Sequence, residues 1–303
     1  MNIGIRLEGG IGDHLLGNRF VHAIHEKYPN ANLNIFSDTE DNPRHISLLK
    51  DLWPKLYNNT VVLKRRTDQN FKIQSIFGEE TYPAHISNLS DDFESLSKTF
   101  DKFYDLHIDS LKWLNYDFDW LRYYYFFPKP EINIESGNEY IMAHLYSRPN
   151  SPYNLEQWYV LKLLNKLSES NKIVIVTQAD HVDFYSELFN NKNIKIECPE
   201  SPLEIFKISA KCKLFIGIDS GVRYMPYHFS KPTYLFSKYC GSYGQVAHSH
   251  LIRWLIFPKN VFPMHFNIDS VSNIINNNFK HNGYILFPEI ESDIEKYIVD
   301  RNL

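Results

Sequence analysis

The sequence predicts an α/β fold with two Rossmann-like domains facing one cleft. A strand, a glycine-bearing turn and a helix follow one another at the start of the chain and again in its second half. Elsewhere short apolar runs alternate with amphipathic stretches, the pattern of parallel sheets covered by helices. At 303 residues the chain can hold two domains of ordinary size, each with its own core.

Asn2 to Leu7 (NIGIRL) alternates apolar residues as a strand does, and Gly9-Gly10-Ile11-Gly12-Asp13 makes a glycine-rich turn whose one charged residue is Asp13. His14 to Lys27 then carries Leu15, Leu16, Phe20, Ala23 and Ile24 on one helical face. Tyr28-Pro29-Asn30 stops this helix, and Leu33 to Phe36 begins the next strand, completing a βαβ unit. The first domain is expected over residues 1–130, ending where Phe127-Pro128-Lys129-Pro130 breaks regular structure.

The second domain, 131–263, shows the same alternation. Strands are expected near Tyr140 to His144, Lys172 to Val176, Ile194 to Ile196, Leu214 to Ile218 and Thr233 to Phe236, and helices near Leu155 to Ser168, Val182 to Phe189, Pro202 to Ala210 and Val222 to Phe229. The tail, 264–303, reads as helices near Ile268 to Asn278 and Glu289 to Asp300.

The run Leu214 to Ile218 is apolar enough to be covered on both faces, and it ends in Asp219-Ser220-Gly221. Asp219 and Ser220 are good N-cap residues, and Gly221 supplies the turn. The first N–H groups of the helix read from Val222 would point beyond the strand end, where they and the helix dipole favour an anion such as phosphate. Ligands of open α/β sheets bind at that edge.

GGIGDHLLGNRFVHAIHEKYPNANLNIF resembles the opening of the heptosyltransferase family of bacterial glycosyltransferases: a strand, a small-residue loop ending in Gly-Asp, a helix and a Tyr-Pro-x-Ala turn. YIMAH, the segment with Trp158, the strand Lys172 to Val176, LFIGIDSG and KPTYLF follow in family order; the match is patchy from Asp38 to Glu139. The resemblance implies two domains of the GT-B type, the first for the acceptor and the second for a nucleotide sugar, with tail helices crossing back onto the first. It implies a sugar transferred from a nucleotide diphosphate to an acceptor hydroxyl, with inversion, without metal and with no cofactor beyond the donor substrate. Asp13 takes the family's role of general base, beside the alternative that it caps the helix. Arg148, four residues after His144, stands where the family places a basic residue for the phosphates, and an arginine suits bidentate phosphate contact; a solvated surface residue is the alternative.

Asp180 lies at a strand end where an acid could receive ribose hydroxyls, or cap the next helix. Asp219, Ser220 and Gly221 form the donor turn. The family often has histidine three residues beyond that glycine, where this chain has Tyr224, with Arg223 beside it as a second phosphate contact or an exposed residue. The donor sugar and nucleotide are therefore left open.

A net charge of -4 gives no global attraction to nucleic acid or anionic membrane. No apolar run is long enough to span a membrane, and the polar opening MNIGIRLEGG is not read as a signal peptide, which points to the cytoplasm and leaves peripheral membrane contact open. Cys198, Cys212 and Cys240 show no paired spacing. His22 with His25 and His248 with His250 lack a third ligand at zinc spacing. Asp117-Phe118-Asp119 has the Asp-x-Asp spacing of metal-dependent sugar transferases, but lies in an aromatic segment away from an apolar strand end and is read as a solvated pair. The implied acceptor is a bacterial surface glycan. A protein, or DNA bases in a phage, remains open, Lys64-Arg65-Arg66 being the one tight cationic cluster. Two further readings share parts of the pattern: a fucosyltransferase-like enzyme, from the first loop and His144 with Arg148, and a non-catalytic nucleotide-sugar-binding protein.

Overall fold

The structure, a computed structural model, describes residues 1–7, 9–37, 44–62, 70–75, 78–83, 97–106, 115–118, 127–145, 157–189, 191–218, 220–238, 261–262, 276 and 283–287. The chain divides into two compact units, Met1–Ile132 and Asn133–Leu303.

In the first unit β1 (Asn2–Leu7) pairs in parallel with β2 (Asn32–Ser37) on one side and with a strand at Lys102–Asp105 on the other, while β2 also pairs with β3 (Thr60–Val62). Two strands come between in sequence, β4 (Asn70–Ser75) and β5 (Gly78–Pro83), as a separate antiparallel hairpin, so Lys102–Asp105 is β6 and the sheet order is β3-β2-β1-β6. The order reverses between β1 and β6, and that reversal fixes where a crevice opens at the carboxyl edge.

Helix α1 (Ile11–Lys27) returns the chain from β1 to β2. It is buried on nearly every side, not on one face: Leu15, Leu16, Phe20, Ala23 and Ile24 are joined by His14, Asn18 and Arg19. The polar members keep partners: Asn18 Oδ1 accepts from Tyr57 Oη at 2.8 Å, and Arg19 Nε donates to Leu16 O at 3.1 Å. A Cβ on Gly17 would sit 2.6 Å from Leu7 Cδ2, which shows how closely α1 lies on β1. A second helix, α2 (Arg44–Leu52), follows β2.

The second unit holds a seven-stranded parallel sheet. Its strands are β7 (Tyr140–His144), β8 (Ile173–Val176), β9 (Ile194–Glu197), β10 (Cys212–Ile218), β11 (Thr233–Lys238), β12 (Val261–Phe262) and β13 (Gly283–Phe287), in the order β12-β13-β11-β10-β7-β8-β9. From β9 through β8, β7, β10, β11 to β13 this is the doubly wound order of a Rossmann sheet, with its reversal between β7 and β10. Helices α3 (Gln157–Ser168), α4 (Val182–Leu188) and α5 (Pro202–Lys211) connect the strands. Leu163, Leu164 and Leu167 of α3 close the core over Ile141, Ile173, Leu214 and Ile216.

Two expectations are corrected. Val222 to Phe229 is not one helix but two 3-10 turns, Gly221–Tyr224 and Pro226–Phe229, because Pro226 lacks an N–H for the α-helical ladder and its ring crowds the preceding turn. Gly283–Phe287, inside the segment read as a helical tail, is a strand added to the sheet beside β11. The proposed tail helices lie outside the described residues, apart from Asn276, which is helical.

Candidate functional site

Both sheets place a glycine-bearing turn at the carboxyl end of the strand beside the reversal of strand order. In the first unit the turn is Gly9-Gly10 after β1. Gly9 has φ +94°, a conformation that side chains rarely adopt. Gly10 is the N-cap of α1, so the helix begins at Ile11, and Gly12 and Asp13 belong to its first turn and not to the loop. Asp13 stands at the third helical position and turns back on the loop, where its Oδ2 accepts from Gly10 N at 2.8 Å. The capping alternative for Asp13 is thus realised as a back-bond to the N-cap residue. A carboxylate has lone pairs beyond the one this bond uses, so the bond orients Asp13 without occupying its full acceptor capacity.

Two histidines surround this loop that the sequence reading did not single out. His14, fully buried, donates from Nδ1 to Gly10 O at 3.1 Å; its Nε2 is then the acceptor, taking a hydrogen bond from Ser37 Oγ at 3.0 Å at the end of β2. Its pKa is pushed down to about 4, by burial first, offset in part by the Gly10 carbonyl and reinforced by His45. His45, near the start of α2, hydrogen-bonds the Gly9 backbone, and its ring centroid lies 5.5 Å from that of His14. Its pKa is likewise lowered by burial, against the Gly9 bond. A polar residue directly after Asp13, on a helix otherwise apolar there, was the one sequence signal for His14. At the same edge Arg6 Nη1 meets Asp105 Oδ2 at 3.5 Å, tying the ends of β1 and β6.

In the second unit the reversal lies between the ends of β7 and β10. Ser220 has extended backbone and caps the Gly221–Tyr224 turn; its Oγ is buried without a partner among the described residues. At the end of β8 the Thr177 hydroxyl is buried in the same condition. Arg223 is not exposed: at 2 % accessibility its guanidinium packs 4.6 Å from the Tyr224 ring centroid, and Nη2 donates to Tyr224 Oη. His144 is buried and donates from Nδ1 to Val176 O at 2.9 Å; burial first, then His181, lower its pKa, so it ties β7 to β8 as a neutral ring. Asp180 lies in a 3-10 turn, Ala179–His181, with its side chain outside the described residues. Arg148 and Asp219 also lie outside them, as do Lys64-Arg65-Arg66, Cys240, His248 and His250.

Asp117 is not simply solvated. Tyr28 and Tyr104 donate to it at 2.6 and 2.7 Å, Lys102 Nζ at 2.9 Å, and Lys27 Nζ lies 3.2 Å away. Burial acts to raise its pKa, but these donors outweigh it and hold the carboxyl well below the usual range. Lys27 and Tyr28 end α1 and Lys102 begins β6, so the cluster sits towards the amino edge of the sheet, away from the Gly9-Gly10 turn. Asp119 is outside the described residues. Among the described residues no group of three or more histidine, cysteine or acidic side chains is arranged to hold a metal ion, and no helix is long and apolar enough to cross a membrane.

No family model and no curated protein sequence matches the chain. Solved structures do. The ADP-heptose LPS heptosyltransferase II of E. coli aligns over 78% of this chain and 85% of its own, with a TM-score of 0.51 and 13% identity. A glycosyl transferase of family 9 from Veillonella parvula aligns over 77% of this chain and 80% of its own, with a TM-score of 0.50 and 10% identity. The chain therefore has the fold of the heptosyltransferase-like, GT-B glycosyltransferases, built on two Rossmann-like parallel-sheet domains.

Proposed function

We propose that the chain is a glycosyltransferase that moves a sugar from a nucleotide diphosphate to an acceptor hydroxyl, with inversion and without a metal ion, and that the acceptor is a bacterial surface glycan. The observation that carries this is the placement of both turns, Gly9-Gly10 and Ser220-Gly221, at the carboxyl edge beside a reversal of strand order. Ligands of open parallel sheets bind at such edges. The fold shared with a heptosyltransferase supports the class of reaction.

The nucleotide diphosphate is assigned to the second unit. A four-residue 3-10 turn has little dipole, so the anion is met chiefly by its first N–H groups, which have no acceptor within the turn, by the Ser220 hydroxyl, and by Arg148. Asp180 is assigned to the ribose, while Arg223 and Tyr224 shape the floor beneath the turn. In the chemical step the acceptor oxygen attacks the anomeric carbon as the bond to the diphosphate breaks. Asp13 takes the hydroxyl proton, and the diphosphate leaves with the bonding electrons.

A thermal-shift panel of ADP, UDP and GDP with their hexose and heptose derivatives tests this assignment. A ligand at a hundred times its Kd stabilises the fold by about 2.7 kcal/mol. At least one nucleotide family is expected to raise Tm, and a panel with no shift overturns the reading.

A further inference from the structure

We propose that His14 and His45 are positioning residues for Asp13, gripping the peptide units of Gly10 and Gly9 so that the carboxylate is held against the loop. The inference rests on the reading of Asp13 as the base. Three side chains from two helices converge on two consecutive residues. His14, in α1, bonds Gly10 O through its ring; His45, in α2, bonds the Gly9 backbone; and Asp13 receives Gly10 N–H at 2.8 Å. Ser37, at the end of β2, fixes the His14 ring from behind at 3.0 Å. The loop needs such a grip, since Gly9 at φ +94° belongs to the most freely rotating residue type.

The choice of imidazole has a chemical consequence. Both rings are held neutral by burial, so they supply directional N–H donors without bringing a cation beside Asp13. A lysine or arginine doing the same work would stabilise the carboxylate and weaken it as a base. The His45 ring lies against that of His14, centroids 5.5 Å apart, so the two imidazoles sit side by side at the loop.

The test uses two readouts on the full chain. In protein labelled with 15N-glycine, the Gly10 amide reports the loop without any ligand. His14→Ala and His45→Ala are expected to speed its exchange with solvent at least tenfold. His14→Asn and His45→Gln, which keep an N–H near the native position, are expected to restore it. With ADP-heptose, UDP-glucose and GDP-mannose as donor probes, the alanine variants are expected to lower kcat roughly tenfold to a hundredfold at unchanged KM, the scale of a catalytic group displaced by about 1 Å. In an Asp13→Asn background they should lower it no further.

Unchanged exchange of the Gly10 amide overturns the proposal, as does an equal loss of kcat in the Asp13→Asn background. Turnover unaffected by Asp13→Asn itself removes the base reading instead. The amide exchange still decides then whether the histidines hold the loop. Should an alanine variant fail to fold, His14→Leu and His45→Leu, which fill the site without an N–H donor, carry the same comparison.

Discussion

Replacing Gly9 by alanine separates the loop geometry from mere smallness, because Gly10 beside it provides the control. Gly9 has φ +94°, and an ideal Cβ there would lie 2.6 Å from Asp13 Oδ2 and 2.9 Å from its Cβ and Cγ. The left-handed backbone alone costs about 1–2 kcal/mol for an L-residue. Relief of the collision requires the carboxylate to move, which threatens its bond from Gly10 N–H, and a hydrogen bond to a charged group contributes about 1.5–3 kcal/mol. Gly9→Ala is therefore expected to destabilise the first unit by about 1–2 kcal/mol from the backbone alone and by up to about 5 kcal/mol if the carboxylate bond is also lost, and to cut turnover more than tenfold. Gly10 has φ -77° and ψ -179°, and its Cβ would meet nothing nearer than Asp13 Oδ2 at 3.6 Å. Gly10→Ala should cost about 1 kcal/mol or less, since alanine is a poorer N-cap than glycine while the restricted unfolded chain offsets part of that loss. Urea denaturation of both variants beside wild type measures the difference. A Gly9→Ala protein within about 0.5 kcal/mol of wild type, below the range of strained-backbone costs, or a Gly10→Ala protein equally destabilised, would refute the geometry.

Acid should weaken the fold through His14. Its folded pKa of about 4 lies below the unfolded 6.5, so the stability it contributes is complete above pH 6.5 and is lost as the pH falls towards 4, up to about 3 kcal/mol. His14→Asn should make this dependence shallower while His22, His45 and His144, whose pKa values burial also lowers, keep the rest, and a variant that weakens as steeply between pH 7 and 4.5 contradicts the assignment. Asp117→Ala is expected to leave turnover within a few fold, and to cost about 1 kcal/mol or less because the carboxylate is 44 % exposed; loss of activity in step with loss of manganese stimulation would revive the Asp-x-Asp reading. Activity should likewise persist in a chelator. Gly221→Val should weaken ADP, UDP or GDP binding at least tenfold in the same thermal-shift panel, and undiminished shifts would remove the nucleotide from the Ser220-Gly221 turn.

Strands β7, β8, β10 and β11 of the second unit were legible because each is a short, mostly apolar run that the sheet buries, and Tyr140–His144 has the bounds read from the sequence. The α1 boundary is less legible, since glycine disfavours helix, yet Gly12 lies buried in the first helical turn. β6 was missed because Lys102–Asp105 is too short to show a period. Pro226 breaks the helix that the amphipathic spacing of Val222 to Phe229 predicts. His45 carries no local signal. It reaches Gly9 only because parallel pairing of β1 and β2 brings the start of α2 beside the first turn, and that contact exists only in the folded topology.

The central claim, that Asp13 supplies the base while the nucleotide is held by the second unit, is tested most directly by Asp13→Asn. Asparagine keeps the size of the side chain and an oxygen for Gly10 N–H, but it cannot take a proton at neutral pH. Turnover and nucleotide affinity are measured on the same preparation. Turnover is predicted to fall by about a hundredfold or more, the usual contribution of a positioned general base, with affinity for the nucleotide within about twofold of wild type. Turnover within a few fold of wild type would contradict the account, leaving Asp13 as the residue that closes the start of α1.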